Sequence, residues 1–465
     1  MDPIAPAYGS AVLLLIAAAA VALLLFLIMA LRLHAMIALV LVSVITAVAA
    51  GIPIGDVPDA LFAGFSETLG EVALLVGFGV MLGRLLEATG GAQVLADTLI
   101  ARFGEKRAPL ALGVASLLFG FPIFFDAGLV VFLPIIFTVA RRFGGSLLAY
   151  AFPAAGAFAA MHALVPPHPG PVAAGVSLGG DIGVILLVGA PTAVVAWYVG
   201  SYLFSRFVSA RIHVDVPTVL FGEENGGQEE YDGPRPAFLT VLTLLLLPMV
   251  LISFNTLLAT LVETGTLEGG TLVDVLLLLG TTSVALLVTL LVAIVVLGRR
   301  DRSMAATMDI LDAALAPICS IILITGAGGM FGGVLYISGI GEALTSSLEG
   351  IGMPVLLQAF VIATALRVAQ GSATVALTTT AGVIAAPVAA EGYGDFRIAL
   401  LVVAIAAGAT VLSHVNDSGF WLVSRFFQMD EKQTLRTWTV METTIGLSAF
   451  AVAVALWGVA AAVGV

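Results

Sequence analysis

The sequence predicts an all-α, polytopic membrane protein with inverted-topology repeats, two re-entrant hairpins and two broken transmembrane helices. Three observations lead there. Apolar runs long enough to cross a bilayer recur along the chain, a stretch of the first half reappears in the second, and four proline-rich or polar breaks interrupt apolar segments at matching places.

The apolar runs set the class. Charged residues are 10% of the chain and apolar ones 60%, against about 25% and about 45–50% in an ordinary soluble domain. Residues 11–31 carry no charge, and residues 272–297 carry only Asp274. A span needs about 20 such residues, so both are expected to cross as single helices. No basic residue precedes the first run, while Arg32 and His34 follow it. It therefore reads as an anchor rather than a signal peptide. The single cysteine, Cys319, excludes an intrachain disulfide, and no Cys/His spacing suits zinc. No cofactor or metal is expected. The net charge of −12 comes largely from loop acids such as Glu223, Glu224, Glu229, Glu230 and Asp232. No nucleic-acid partner is expected of such a chain; membrane lipid is.

Basic residues fall in clusters, and placing these in the cytoplasm puts fifteen of the eighteen inside, leaving Arg84, Arg367 and Arg397. Both termini are then extracytoplasmic. Five regions follow: N-terminal transmembrane helices (1–58), a first repeat (59–206), a cytoplasmic acidic loop (207–235), linking helices (236–302) and a second repeat (303–465).

A shift of 249 residues lays 77–99 on 326–348 with eight of twenty-three identities, including Gly77/Gly326, Gly79/Gly328, Gly83/Gly332 and Gly90/Gly339. Chance would supply about two. The charge map runs the two copies in opposite directions, an architecture found in many secondary transporters. After the matched stretch, residues 109–140 are broken at Gly120-Phe121-Pro122, and residues 354–387 at Gln370-Gly371-Ser372. Each arm is too short to cross, so both read as hairpins. Two broken spans follow, interrupted at 166–171 and at 413–419, and the same shift superposes Gly170 on Gly419. Irregular backbone at membrane depth persists only where protein or a wet cavity satisfies it. The four breaks therefore predict one central site.

Helix-starting N–H groups at the hairpin tips can hold an anion without a formal cation. Ser372 and Thr374 add hydroxyls beside Gly371; the competing reading of these small residues is close helix packing. Arg367 lies about one turn before that tip in an otherwise apolar arm. An intramembrane arginine is costly, and a guanidinium suits a carboxylate bidentately. A fixed pairing with a carbonyl or with Asp417 is the alternative. Gln370, Asn416 and His168 are candidates for substrate hydroxyls. Pro122, Pro169, Gly170, Gly371 and Ser413, at the breaks, complete the candidate binding set. Asp126, Asp417 and His414 are candidate proton carriers, since burial can bring a carboxyl into the working pH range and histidine titrates there unaided. A histidine that only ties down broken backbone is the other reading, preferred for His162. An intramembrane enzyme using His168 and Asp417 lacks a nucleophile with a base and an orienter. A passive channel lacks a continuous polar lining.

At these residues the chain resembles the gluconate permease (GntP) family of the ion transporter superfamily. The matching stretches are GFPIFFDAGLVVFLP (120–134), HALVPPHPGP (162–171), ALRVAQGSATVALTTTAG (365–382) and SHVNDSGFW (413–421), with partial matches over 81–92. The resemblance covers most of 60–463. It implies a proton symporter for gluconate or a related sugar acid in the cell membrane, and a homodimer whose hairpins approach a central site. D-serine, glycerate, a hexuronate, or coupling to sodium are the alternatives within the same fold. The family commonly has glutamate where Asp126 stands, which retracts the carboxyl here by one methylene.

Overall fold

The computed structural model describes residues 4–463, apart from 92, 95–96, 99–103, 122–123, 167, 218–234, 264–266, 301, 342, 344–346 and 348–352. Pro122 and the acids of the central loop from Glu223 to Asp232 lie outside the described residues. The described secondary structure is helical throughout, as lipid requires of an open chain that must satisfy its own backbone. Among the described residues six helices are long and apolar enough to span a membrane, and a bent pair makes a seventh candidate.

Helices α1 (Ser10–Leu25) and α2 (Ala35–Ala49) precede α3 (Val57–Ala88). The first expected hairpin is α4 (Ala108–Gly120) with α5 (Phe125–Phe143). At about 1.5 Å per residue α4 rises only about 20 Å. The broken helix after it has arms α6 (Leu148–Leu164) and α7 (Pro169–Ser177), and α8 (Ile182–Trp197) closes this part. Pro169 starts α7 where its missing N–H is not needed.

The linking region holds α9 (Phe238–Glu263), α10 (Thr271–Gly280) and α11 (Thr282–Ala293). Here the structure corrects the expectation of one uninterrupted span over 272–297. The chain bends by 71° between α10 and the helical stretch from Thr282 to Gly298. A side chain at Gly280 would place Cβ 2.3 Å from Asn255 Cβ and 2.4 Å from the Leu251 carbonyl oxygen, so the end of α10 rests directly on α9. Thr281 then leaves helical geometry (φ −60, ψ 139), and its hydroxyl donates to the Leu278 carbonyl at 2.8 Å. A run of hydroxyl residues behind a glycine is weak helix material, because these side chains compete for backbone groups.

The last part holds α12 (Met304–Leu315), α13 (Cys319–Ile337), α14 (Val355–Gln370), α15 (Ala373–Glu391), α16 (Asp395–Thr410), α17 (Ser418–Phe426) and α18 (Glu431–Val463). Helices α7 and α17 are each nine residues long and start 249 residues apart, at Pro169 and Ser418. Helices α8 and α18 also start 249 apart, at Ile182 and Glu431.

Helices α3 and α13 meet along glycine: a Cβ on Gly64 would stand 2.5 Å from the Gly329 carbonyl oxygen. Helix α4 lies on α6, and α14 on α16. The short arms cross over. Helix α7 packs against α15, where Gly170 meets Leu377, and α17 packs against α5, where Gly419 meets Phe125.

Candidate functional site

Four helix N-termini meet at one cavity of about 720 Å³. Its wall includes Phe125 and Asp126 at the start of α5, Pro169 of α7, Ser372, Ala373 and Thr374 at the start of α15, and Ser418 and Gly419 of α17. The first N–H groups of a helix have no intrahelical acceptor and carry partial positive charge. Converging four such ends favours an anion. The Ser372 hydroxyl oxygen accepts from the Val375 N–H at 3.3 Å, which leaves its own hydrogen to donate.

Among the described residues, five buried polar atoms on this wall have no hydrogen-bond partner: Arg367 Nε, Gln370 Oε1, Asn416 Oδ1, His162 Nδ1 and Glu442 Oε1. Buried polar groups are ordinarily satisfied, so their gathering singles out this wall as the candidate site.

Arg367, 5% exposed, donates from Nη2 to Asp417 Oδ2 and from Nη1 to the Gly371 carbonyl. Ser413 Oγ donates to the same carboxylate oxygen, and the Gly419 N–H donates to the other, Oδ1, at 3.0 Å. Trp438 Nε1 donates to Ser413 Oγ at 2.8 Å, which ties α18 into the cluster. Arg367 thus has the fixed partners that the alternative reading named, while its buried Nε has no hydrogen-bond partner among the described residues.

Histidine anchors both breaks. His168 Nε2 lies 3.0 Å from the carbonyl oxygen of Gly120, the last residue of α4. His414 Nε2 and Asn416 Nδ2 lie 3.0 and 2.9 Å from the carbonyl oxygen of Val368, near the end of α14. A carbonyl only accepts, so the histidine Nε2 atoms donate. Each satisfies a carbonyl that the end of its helix leaves open.

The model of the GntP family permeases matches residues 12–460. The chain belongs to the GntP permease family. The inner membrane permease YgbN of Escherichia coli (strain K12) is 38% identical over 435 residues, covering 92% of this chain and 94% of that one. A gluconate permease of Bacillus subtilis (strain 168) is 35% identical over 438 residues, covering 94% and 97%. The Gnt-II system L-idonate transporter of Escherichia coli (strain K12) is 37% identical over 421 residues, covering 90% and 92%. The chain is therefore a multi-pass membrane transporter and not an enzyme.

In this GntP permease the residues selected from sequence divide in two. Pro169, Arg367, Gln370, Gly371, Ser372, Thr374, Asn416, Asp126 and Asp417 line the cavity. His168, Gly170, Ser413 and His414 are not on the wall: Ser413 bonds the wall residue Asp417, the His168 ring lies 4.9 Å from that of the wall residue His162, and Gly170 and His414 meet Leu377 and Val368. Pro122 is outside the described residues. The sequence reading missed Glu442, Trp438 and Thr410 of the second half, and Thr281, Thr282 and Ser283 at the bend between α10 and α11, all on the wall. For Glu442 a signal existed: it is an acid within an apolar span, and that same test singled out Arg367.

Proposed function

We propose that this GntP permease imports gluconate or a closely related sugar acid together with a proton, by alternating access between two inverted halves. It works as a homodimer in the cell membrane, with both termini outside. The observation that supports this reading is one cavity whose wall combines four helix N-termini with Arg367. Gluconate and L-idonate, named for two relatives, are both carboxylates with a row of hydroxyls. In this reading the carboxylate rests on the amides of Ala373 and Thr374, the hydroxyls of Ser372 and Thr374, and Arg367 Nε. Gln370 Oε1 and Asn416 Oδ1, both acceptors in need of donors, take sugar hydroxyls. His168, Ser413 and His414 hold these groups in place.

The deciding experiment is uptake by proteoliposomes against a panel of labelled sugar acids, D-serine and glycerate, with pH and sodium gradients imposed separately. Uptake that follows a sodium gradient at constant pH would remove the proton from the mechanism. Failure to move any sugar acid would remove the substrate class.

Asp126, Asp417 and His414 are the proton carriers named from sequence. Asp126, in the first turn of α5 on the cavity wall, is the one proposed to titrate during transport. Asp126→Asn is expected to lose accumulation driven by an inward proton gradient while still exchanging substrate across the membrane. An unchanged pH profile of accumulation in this variant would dismiss Asp126. The inverted arrangement is tested by cysteine labelling after Cys319 is replaced. A cysteine beside Arg397 is expected to react with an impermeant reagent from outside and one in 223–230 to stay protected; labelling of both from one side would contradict it.

A further inference from the structure

Glu442 lies inside the span Glu431–Ala462 of α18, 4% exposed. It lines the same cavity, and its Oε1 has no protein partner. A buried carboxylate without a partner is costly, whereas the protonated form removes the charge and supplies a donor.

Among the described residues its surroundings offer no dedicated counter-ion. Arg367 and Asp417 share the cavity wall with it, and those two are bonded to each other, with Arg367 also held by the Gly371 carbonyl. Helix α16 presents Thr410, and α6 presents His162 on the cavity wall. Helix α8 has no titratable residue over Ile182–Trp197; Tyr198 and Tyr202 stack on each other just beyond it. Arg425 of α17 is bonded to Glu431, and Arg397 of α16 lies over Tyr393 and Trp457. Asp126 of α5 and Glu67 of α3 are further acids on the wall.

Counted over the wall residues Arg367, Asp417, Glu442, Asp126 and Glu67, the site has a formal charge of about −3 if every group is ionised. A bound monoanion adds one more negative charge, and one proton on Glu442 offsets it. The helix bearing Glu442 is also wired to the anion side of the site. One turn earlier Trp438 bonds Ser413, Thr439 Oγ1 donates to the Ser413 carbonyl at 2.5 Å, and Ser413 bonds Asp417.

We infer that Glu442 is a second proton-binding group of this cavity, taking up a proton as the anion binds and giving it up as the anion leaves. The inference rests on the transport reading above and adds a residue to it. The reading of Asp126 stands or falls separately.

The test uses the full-length protein in proteoliposomes with a pH-sensitive dye inside and gluconate as the probe. Glu442→Gln keeps size and hydrogen bonding but cannot titrate. It is expected to lower gluconate-driven proton entry at least tenfold and to abolish accumulation, while gluconate exchange remains measurable. Glu442→Asp is expected to keep proton entry with a shifted pH profile, and it serves if the glutamine variant inserts poorly. In the infrared difference spectrum between gluconate-bound and free protein, a protonated-carboxyl band is expected in the wild type and absent from Glu442→Gln. Wild-type proton entry and accumulation in Glu442→Gln would overturn the inference alone. A wild-type protein that moves no sugar acid would overturn the transport reading, and this inference with it.

Discussion

Replacing Arg367 with glutamine is expected to lower gluconate uptake by proteoliposomes about a hundredfold or more. A hydrogen bond to a charged group is worth about 1.5–3 kcal/mol, which alone is about 10- to 150-fold. The substitution also strips Asp417 of its partner in a buried site, and breaking such a pair costs about 3–5 kcal/mol of stability. The two losses are separable. In the double variant Arg367→Gln with Asp417→Asn no charge is left stranded, so thermal stability is expected to recover while uptake stays low. Arg367→Lys is expected to recover uptake only in part, since an ammonium lacks the planar fork that serves a carbonyl and a carboxylate together. A well-inserted double variant with near-wild-type affinity would assign Arg367 to architecture and leave the helix-tip amides alone with the substrate.

Gly371→Ala is expected to abolish transport and to lower the melting temperature measurably. Gly371 adopts φ +82, and an added Cβ would stand 2.1 Å from the Asn416 carbonyl oxygen. The left-handed conformation costs alanine about 1–2 kcal/mol. The clash is worse, because its partner is backbone that cannot rotate aside. The hairpin tip would have to lift from the 414–417 segment, carrying with it the carbonyl that Arg367 grips. Gly382→Ala is the control: it lies on α15 with open space around its Cβ position and is expected to leave uptake unchanged. Normal uptake by Gly371→Ala would mean that this tip is not seated on that segment in the working transporter.

The breaks were readable because proline, glycine and clustered polar residues have local consequences in an apolar run. Pro169 and the Gly371-Ser372 pair end or start helices by backbone chemistry alone. What those breaks touch was not readable. The acceptors for His168 and His414 lie 48 and 46 residues away in the chain, so the residue type suggested a role while the partner stayed hidden. Glu442 was masked by its neighbours. Helix α18 opens with Glu431, Lys432 and Arg436, and an acid a few residues later passes for the wet end of a span until its burial is known. The bend at Thr281 was hidden for another reason: Gly280 ends its helix against α9, a tertiary contact that the hydropathy of 272–297 does not record.

The crossed short arms bear on how this protein tolerates change. Helix α7 seats its Gly170 on Leu377, and α17 seats its Gly419 on Phe125, so each half supplies the floor on which the other half's break rests. Neither half is a self-sufficient solute of the bilayer. Cut the chain in the central loop, and α7 and α17 each lose a packing surface that only the missing fragment provides. The halves are joint tenants of one structure: the seat at 170 and the side chain at 377 that meets it lie more than two hundred positions apart in the chain.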